Sequence, residues 1–311
     1  MSVELTSIDQ ALAEGGEQLP FPFNQRSFCH YEPIEKRIEK IRVLVVNNLL
    51  RDENDLSETA RESWGRAAAG HLQREREISV LALENITNNV TRLVVDPETR
   101  IAHVSEIAAA AEEYRPQAIV LSGTLRDFDF YRPEIIENFG RFIRTTKTPV
   151  LGICGGHQMV GLGFGAHVVT LDHREQHERR ADRVYEYQYR FVRITDGDDP
   201  IFQGINDRES GVWQDYTTEA RILRVWQNHG LQIDRVPEGF KLLATSYLCR
   251  VQMMVKRNEG QLIYTVQFHL EKSFEDWHKN RTRWEHPNES RDGRIIFENF
   301  LRQSLEHQQA A

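Results

Sequence analysis

The stretch Gly152-Ile153-Cys154-Gly155-Gly156-His157-Gln158 limits what this chain can fold into more than any other. It continues an apolar run, Pro149-Val150-Leu151, and leads into a segment able to start a helix. A cysteine framed by glycines between those two has the shape of a strand-turn-helix elbow that presents a nucleophile. So sharp a turn needs neighbours without Cβ crowding. A helix N-terminus directly after the cysteine favours thiolate, the reactive form.

A second segment, Val266-Gln267-Phe268-His269-Leu270-Glu271, supplies what a cysteine nucleophile needs. Residues two apart in an extended chain share a face, so His269 and Glu271 can stand side by side. That is a base beside its orienting carboxylate. With Cys154 they make a nucleophilic triad. Taken alone, Cys154 reads as a small buried apolar residue. The flanking glycines and the distant His-x-Glu favour catalysis instead.

Between and around these segments the chain alternates short apolar runs with amphipathic stretches. Ile41-Arg42-Val43-Leu44-Val45-Val46 reads as the first central strand. A helix is expected over 56–73, a strand over 78–83, a hairpin around Pro97-Glu98 and a helix over 105–113. Ala118–Leu121 reads as a strand ending at Ser122-Gly123, and Pro133 opens a helix running to Thr145. The second half is richer in strands, at 189–192, 222–226, 241–245, 249–255 and 262–268, with a closing helix over 293–303. The pattern argues for an α/β fold: a mostly parallel central sheet covered by helices on both faces, plus a smaller β-rich portion. Ligands of such sheets bind outside the C-terminal strand ends, where Cys154 and the Ser122-Gly123-Thr124 loop both lie.

The motifs together resemble the class I (triad) glutamine amidotransferases. The nucleophile motif of that family, G-I-C-x-G-H/M-Q, is matched from Gly152 to Gln158. Its Q-F-H-P-E motif is matched from Gln267 to Glu271, with Leu270 in place of proline. Gln227-Asn228-His229-Gly230 is similar to the Q-N-H-G segment in the glutaminase part of carbamoyl-phosphate synthetases. Val225-Trp226 is similar to the corresponding stretch of GMP synthetases, although Leu231 stands where many of those carry aspartate. The motifs fall in family order and span roughly Ile41 to Leu301.

The resemblance implies a flavodoxin-like fold with glutamine as substrate and Cys154, His269 and Glu271 as catalytic residues. It implies an oxyanion hole from backbone N–H groups, one of them on Gly155. The other donor lies in the loop after an earlier strand, commonly S-G-G-P. Here that loop reads Ser122-Gly123-Thr124-Leu125-Arg126-Asp127, so Gly123 and Thr124 are the candidates. Gln158, Asn228 and Gly230 would hold the amino-acid end of glutamine. An ordinary turn is the bland reading of Asn228-His229-Gly230.

Residues 1–40 read as an extension before the core, interrupted by Pro20, Pro22 and Pro33. Phe21, Phe23 and Phe28 suit packing on the domain rather than a free arm. The amidotransferase domain would run over 41–304, with an insert near 273–291 and a tail over 305–311. Trp277 and Trp284 in that insert fit either a surface excursion or a lid or docking segment. His173 and His177 are four apart, but their surroundings read as a solvated charged segment rather than a metal site.

Three cysteines, Cys29, Cys154 and Cys249, build no disulfide framework, which suits a reducing compartment and a cytoplasmic protein. No apolar run is long enough for a membrane span. A net charge of −8 disfavours nonspecific nucleic-acid binding. No P-loop or ATP-pyrophosphatase pattern is present, and no cofactor or metal is expected. The leading expectation is a free-standing glutaminase that passes ammonia to a separate synthetase. The alternatives are a hydrolase of γ-glutamyl amides or peptides and a regulatory protein with weak catalysis.

Overall fold

The computed structural model describes residues 35–178, 180–205, 222–258, 260–272 and 291–310. Cys29, the phenylalanines of the N-terminal arm, and Trp277 and Trp284 lie outside these residues.

The strands are β1 (Ile38–Asn47), β2 (Val94–His103), β3 (Ala118–Leu121), β4 (Val150–Ile153), β5 (Val168–Thr170), β6 (Glu186–Ile194), β7 (Ile222–His229), β8 (Leu231–Ile233), β9 (Lys241–Thr245), β10 (Met253–Asn258) and β11 (Gln261–Val266). The helices are α1 (Glu58–Trp64), α2 (Ala68–Leu93), α3 (Ile107–Tyr114), α4 (Pro133–Thr145), α5 (Gly155–Gly163) and α6 (Arg291–Ala310). Among the described residues the main sheet runs β2-β1-β3-β4-β11-β10-β9-β6-β7. Its first five strands are parallel to one another and the rest continue antiparallel. β5 and β8 form a separate pair. This is the expected α/β architecture with its β-rich continuation.

Near-continuous apolar strands arise because both faces of the sheet are covered. Val43 and Val45 of β1, Val120 of β3, Leu151 and Ile153 of β4 and Tyr264 and Val266 of β11 pack with Ile86 and Val90 of α2 and Phe297 and Phe300 of α6. Their neighbours along the strands, Leu44, Val46, Ile119, Leu121, Val150 and Ile263, face the other way. They meet Ile107 of α3, Ile135 and Phe139 of α4 and Met159 of α5.

Two expected elements are different. Residues 78–83 are helical, inside α2, and not a strand. The buried positions Ser79, Leu83, Ile86, Val90 and Leu93 recur at three- and four-residue spacing, so the helical face decides the conformation. Residues 94–103 form one strand parallel to β1, not a hairpin. Pro97 is tolerated because β2 is the edge of the sheet, where a missing N–H costs no ladder bond on the open side. The strand expected over 249–255 begins only at Met253.

Candidate active site

β4 ends in the elbow. Its last residue passes to Cys154, whose φ of 50° and ψ of −107° lie outside the ordinary regions for a side-chain-bearing residue. The turn is held from both sides: Cys154 N–H donates to the Val266 carbonyl at 2.8 Å, and the Cys154 carbonyl accepts from Gln158 N–H at 3.1 Å. The second bond makes Cys154 the N-cap of α5, so its sulfur sits at the positive end of that helix. The glycines answer to close approach. A Cβ on Gly156 would lie 2.8 Å from Leu121 Cβ and 2.9 Å from the Ser122 carbonyl oxygen. A Cβ on Gly152 would lie 2.9 Å from the carbonyl carbon of Gly156.

β11 delivers the other two groups. Beyond its end the chain stays extended, so Val266, Phe268 and Leu270 enter the core while His269 and Glu271 turn to the opposite side. Leu270, in the position where the family has proline, is 2% exposed and packs in that core. His269 N–H donates to the Trp226 carbonyl at 2.8 Å, tying this segment to β7. Asn89 of α2 donates through Nδ2 to the Glu271 carbonyl at 2.7 Å. His269 Nδ1 is 2.7 Å from Glu271 Oε1. Burial opposes charge on the imidazole, but the Glu271 carboxylate, and after it Cys154, hold the His269 pKa well above its ordinary value. The arrangement sets an imidazole that favours its charged form, oriented by a carboxylate, in the same site as the Cys154 sulfur.

The loop after β3 closes over these groups. A Cβ on Gly123 would lie 3.5 Å from both Cys154 Cβ and His269 Cε1. A Cβ on Gly155 would lie 2.4 Å from Thr124 N. The two candidate oxyanion donors, Gly155 and Thr124, are therefore adjacent beside Cys154. Ser122 anchors the loop: its Oγ accepts Asn48 N–H at 3.0 Å, and its carbonyl accepts Asn48 Nδ2 at 2.6 Å.

The three residues expected to hold substrate lie in different surroundings. Gln158 Nε2 donates to the Leu231 carbonyl at 2.9 Å and to Gln267 Oε1 at 3.0 Å. Gln267 Nε2 in turn points at Cys154 Sγ, 3.7 Å away. Asn228 is exposed on β7, and Gly230 is packed beneath Arg183 and Tyr185. His173, at φ 61°, lies in a turn, so the helical spacing that would let it share a metal with His177 does not apply.

Behind Cys154 a buried polar layer joins Gln227 and His229 of the Gln227-Asn228-His229-Gly230 segment to residues that no motif marked. His229 Nδ1 donates to the Leu231 carbonyl at 2.9 Å, which leaves Nε2 facing Glu186 Oε2 at 3.0 Å. Glu186 also accepts Ser246 Oγ at 3.0 Å and Gln252 Nε2 at 2.8 Å. Gln252 Oε1 accepts Gln227 Nε2 at 3.0 Å. Cys249 completes the group, its thiol pKa pushed well up by burial and then by Glu186. Glu186, His229 and Cys249 bring three possible ligand atoms within 4.8 Å of one another. Among these atoms His229 Nε2 makes no hydrogen bond, although Glu186 Oε2 lies 3.0 Å away.

Beneath the elbow, His157 is fully buried with Nδ1 2.7 Å from Thr265 Oγ1. Burial lowers its pKa from 6.5 to about 3. The folded chain thus keeps His157 neutral while the unfolded chain protonates it below about pH 6.5. Its contribution to stability is complete above that pH and is lost as pH falls toward 3. Lowering the pH to about 5.5 should cost the folded state about 1.4 kcal/mol through this group alone. Urea unfolding of the chain and of His157→Gln at both pH values checks this. An equal pH slope in the two proteins would disprove it.

Among the described residues no helix is long and apolar enough to cross a membrane. The family model described as glutamine amidotransferase class-I matches residues 81–284. The glutamine-hydrolysing GMP synthase of Cupriavidus pinatubonensis is 33% identical over 164 residues, 51% of this chain and 25% of that protein. One subunit of the glutamine-hydrolysing GMP synthase of Methanothermobacter thermautotrophicus is 28% identical over 163 residues, 52% of this chain and 64% of that one. The chain thus spans only part of the length of these relatives. A crystal structure from Thermoplasma acidophilum, of a protein proposed to be a GMP synthase subunit, superposes with a TM-score of 0.52 at 23% identity. That superposition covers 86% of this chain and 96% of the other, and it speaks for the fold. With the family model matching well over half its length, the chain belongs to the class I glutamine amidotransferase family.

Proposed function

We propose that this chain is a glutaminase that hydrolyses glutamine through a cysteine thioester and supplies ammonia to a separate synthetase. The observation that carries this reading is the convergence of a strained Cys154 at a helix N-terminus with the His269–Glu271 pair and the Gly155–Thr124 backbone. Cys154 sulfur would attack the side-chain carbonyl carbon of glutamine. The developing oxyanion would be met by N–H groups of Gly155 and Thr124. His269, charged in the resting pair, would protonate the departing nitrogen, and ammonia would leave as the C–N bond breaks. The neutral imidazole would then take a proton from water as that water attacks the γ-glutamyl thioester, releasing glutamate and regenerating the thiolate. Glu271 would hold the ring and balance its charge.

Gln158, Asn228 and Gly230 would shape the end of the site that receives the amino-acid part of glutamine. In this reading residues 41–304 form the amidotransferase domain; most of the 1–40 extension and of the 273–291 segment lies outside the described residues. The Methanothermobacter thermautotrophicus relative is by its name one subunit of its synthase, which supports a separate acceptor enzyme. An amination on that separate enzyme is the class of reaction that would consume the ammonia.

Substrate preference tests the reading. Glutamine hydrolysis should be measurable in the isolated chain and should rise when a synthetase partner is added. Fast partner-free turnover of γ-glutamyl amides or peptides, with glutamine a poor substrate, would overturn it in favour of a γ-glutamyl hydrolase.

A further inference from the structure

The loop after β3 lacks the residues that would make it rigid by itself. Proline would restrict the backbone there, whereas this chain has Leu125 in its place, between Thr124 and Arg126. Leu125 is 41% exposed and so contributes little packing. Yet the loop must hold Thr124 N–H to within a fraction of an ångström for it to serve an oxyanion.

Charged side chains grip the loop from two sides. On one side Arg126 Nε donates to Glu75 Oε1 at 3.0 Å, and the guanidinium lies 5.3 Å from the Trp64 ring centre. Glu75 comes from α2 with its side chain completely buried, and its Oε2 accepts Leu50 N–H at 3.1 Å. On the other side Asp127 receives a forked pair of bonds from Arg183, each 2.8 Å, and a third at 2.8 Å from Arg180 Nε. Arg183 is itself fixed: its side chain is 6% exposed and its Nη2 also donates to the Gln176 carbonyl at 2.7 Å. The same side chain crosses the β7–β8 turn so closely that a Cβ on Gly230 would lie 2.6 Å from Arg183 Cδ. One arginine side chain therefore joins the oxyanion loop, through its guanidinium, to the turn that carries Asn228 and Gly230, through its methylene stem.

Burial raises the Glu75 pKa, and Arg126 opposes that shift. A buried carboxylate kept beside its cation and a forked arginine–carboxylate pair are geometrically demanding contacts. A solvated surface pair would not fix a backbone N–H in this way.

We infer that Glu75, Arg126, Asp127 and Arg183 are positioning residues, two ion-pair latches that aim Thr124 N–H at the oxyanion in place of a proline-restricted backbone. This rests on the glutaminase reading of Cys154. Neither latch touches the reacting atoms; both act through the loop, and Arg183 also acts through Gly230.

Two variants test it. Glu75→Gln keeps the size of the side chain and removes its charge. Arg183→Lys keeps the charge and loses the fork. Each should lower kcat for glutamine roughly tenfold or more, with KM within about threefold, because only transition-state stabilisation is lost. Binding of glutamate γ-semialdehyde, whose thiohemiacetal carries the same oxygen, should weaken in parallel with kcat/KM. Alkylation of Cys154 by iodoacetamide builds no oxyanion and should keep its rate. Folded variants with unchanged kcat would overturn the inference, as would an equal loss of alkylation rate, which would mean that the nucleophile itself was disturbed. If Arg183→Lys does not fold, Glu75→Gln decides alone. If the unsubstituted chain neither hydrolyses glutamine nor takes a 6-diazo-5-oxo-norleucine label on Cys154, the underlying reading fails and the latch proposal falls with it.

Discussion

Replacing Cys154 with alanine is expected to remove glutamine hydrolysis, with a loss of roughly a thousandfold or more, the scale set by deleting a nucleophile from a triad. The fold should survive. Cys154 is 6% exposed and its Sγ meets Gln267 Nε2 at 3.7 Å, so the change removes one polarisable atom and one weak bond. The backbone gives a second handle on the same residue. At φ 50° a residue with a Cβ stores strain, on the order of 1–3 kcal/mol. Glycine relaxes it. Cys154→Gly should therefore be as inactive as Cys154→Ala but at least as stable, measured by urea unfolding. In the unsubstituted chain, 6-diazo-5-oxo-norleucine should add one label on Cys154. A label confined to Cys249, or a Cys154→Ala protein that still turns over, would refute the assignment.

Gly155→Ala is expected to be nearly as damaging, for a steric reason rather than a chemical one. The new Cβ would sit 2.2 Å from Thr124 Oγ1, 2.4 Å from Thr124 N and 2.5 Å from Thr124 Cγ2. The side-chain atoms could rotate away, but the backbone nitrogen cannot move without shifting the loop. Gly155 itself does not have a positive φ, and alanine is the better helix former by about 1 kcal/mol. That gain does not offset a clash with backbone, so the substitution should cost stability as well as push Thr124 N–H off its aim. A loss of roughly 100- to 1,000-fold in kcat is expected, the effect of removing one oxyanion donor. Combining it with Thr124→Gly would clear the Oγ1 and Cγ2 clashes and leave the one with nitrogen, so recovery should be partial at best. Near-normal kcat in Gly155→Ala would show that Thr124 is not a donor.

Both predictions rest on residues that the sequence offered directly. The elbow was legible because its chemistry is local. A glycine-framed cysteine between an apolar run and a helix start leaves few conformations open, and β4 and α5 take the expected positions on either side. His269 and Glu271 were legible because a period of two on an extended chain fixes their common face, and their 2.7 Å contact follows from it.

Other features were lost for reasons that lie in the same locality. The run from Ile78 to Leu83 contains branched residues that suit a strand. The helix wins because α2 buries Leu83, Ile86 and Val90 against the sheet along one face, and that face exists only once the sheet is assembled. Pro97 reads as a turn, but its place on the edge strand β2 makes it harmless.

The sequence by itself determined the elbow at Cys154, the shared face of His269 and Glu271 and the parallel sheet that presents them, since each follows from short-range periodicity and turn chemistry. Only the tertiary structure decided what holds them in place. Asn89 reaches the backbone of Glu271 across 182 residues, and Arg126 reaches Glu75 across 51. Arg183 grips Asp127 across 56 residues, and Glu186 meets Gln252 across 66. Such partners carry no local signature. A buried polar group must find some partner, and which one it finds is settled by the packing of elements far apart in the chain.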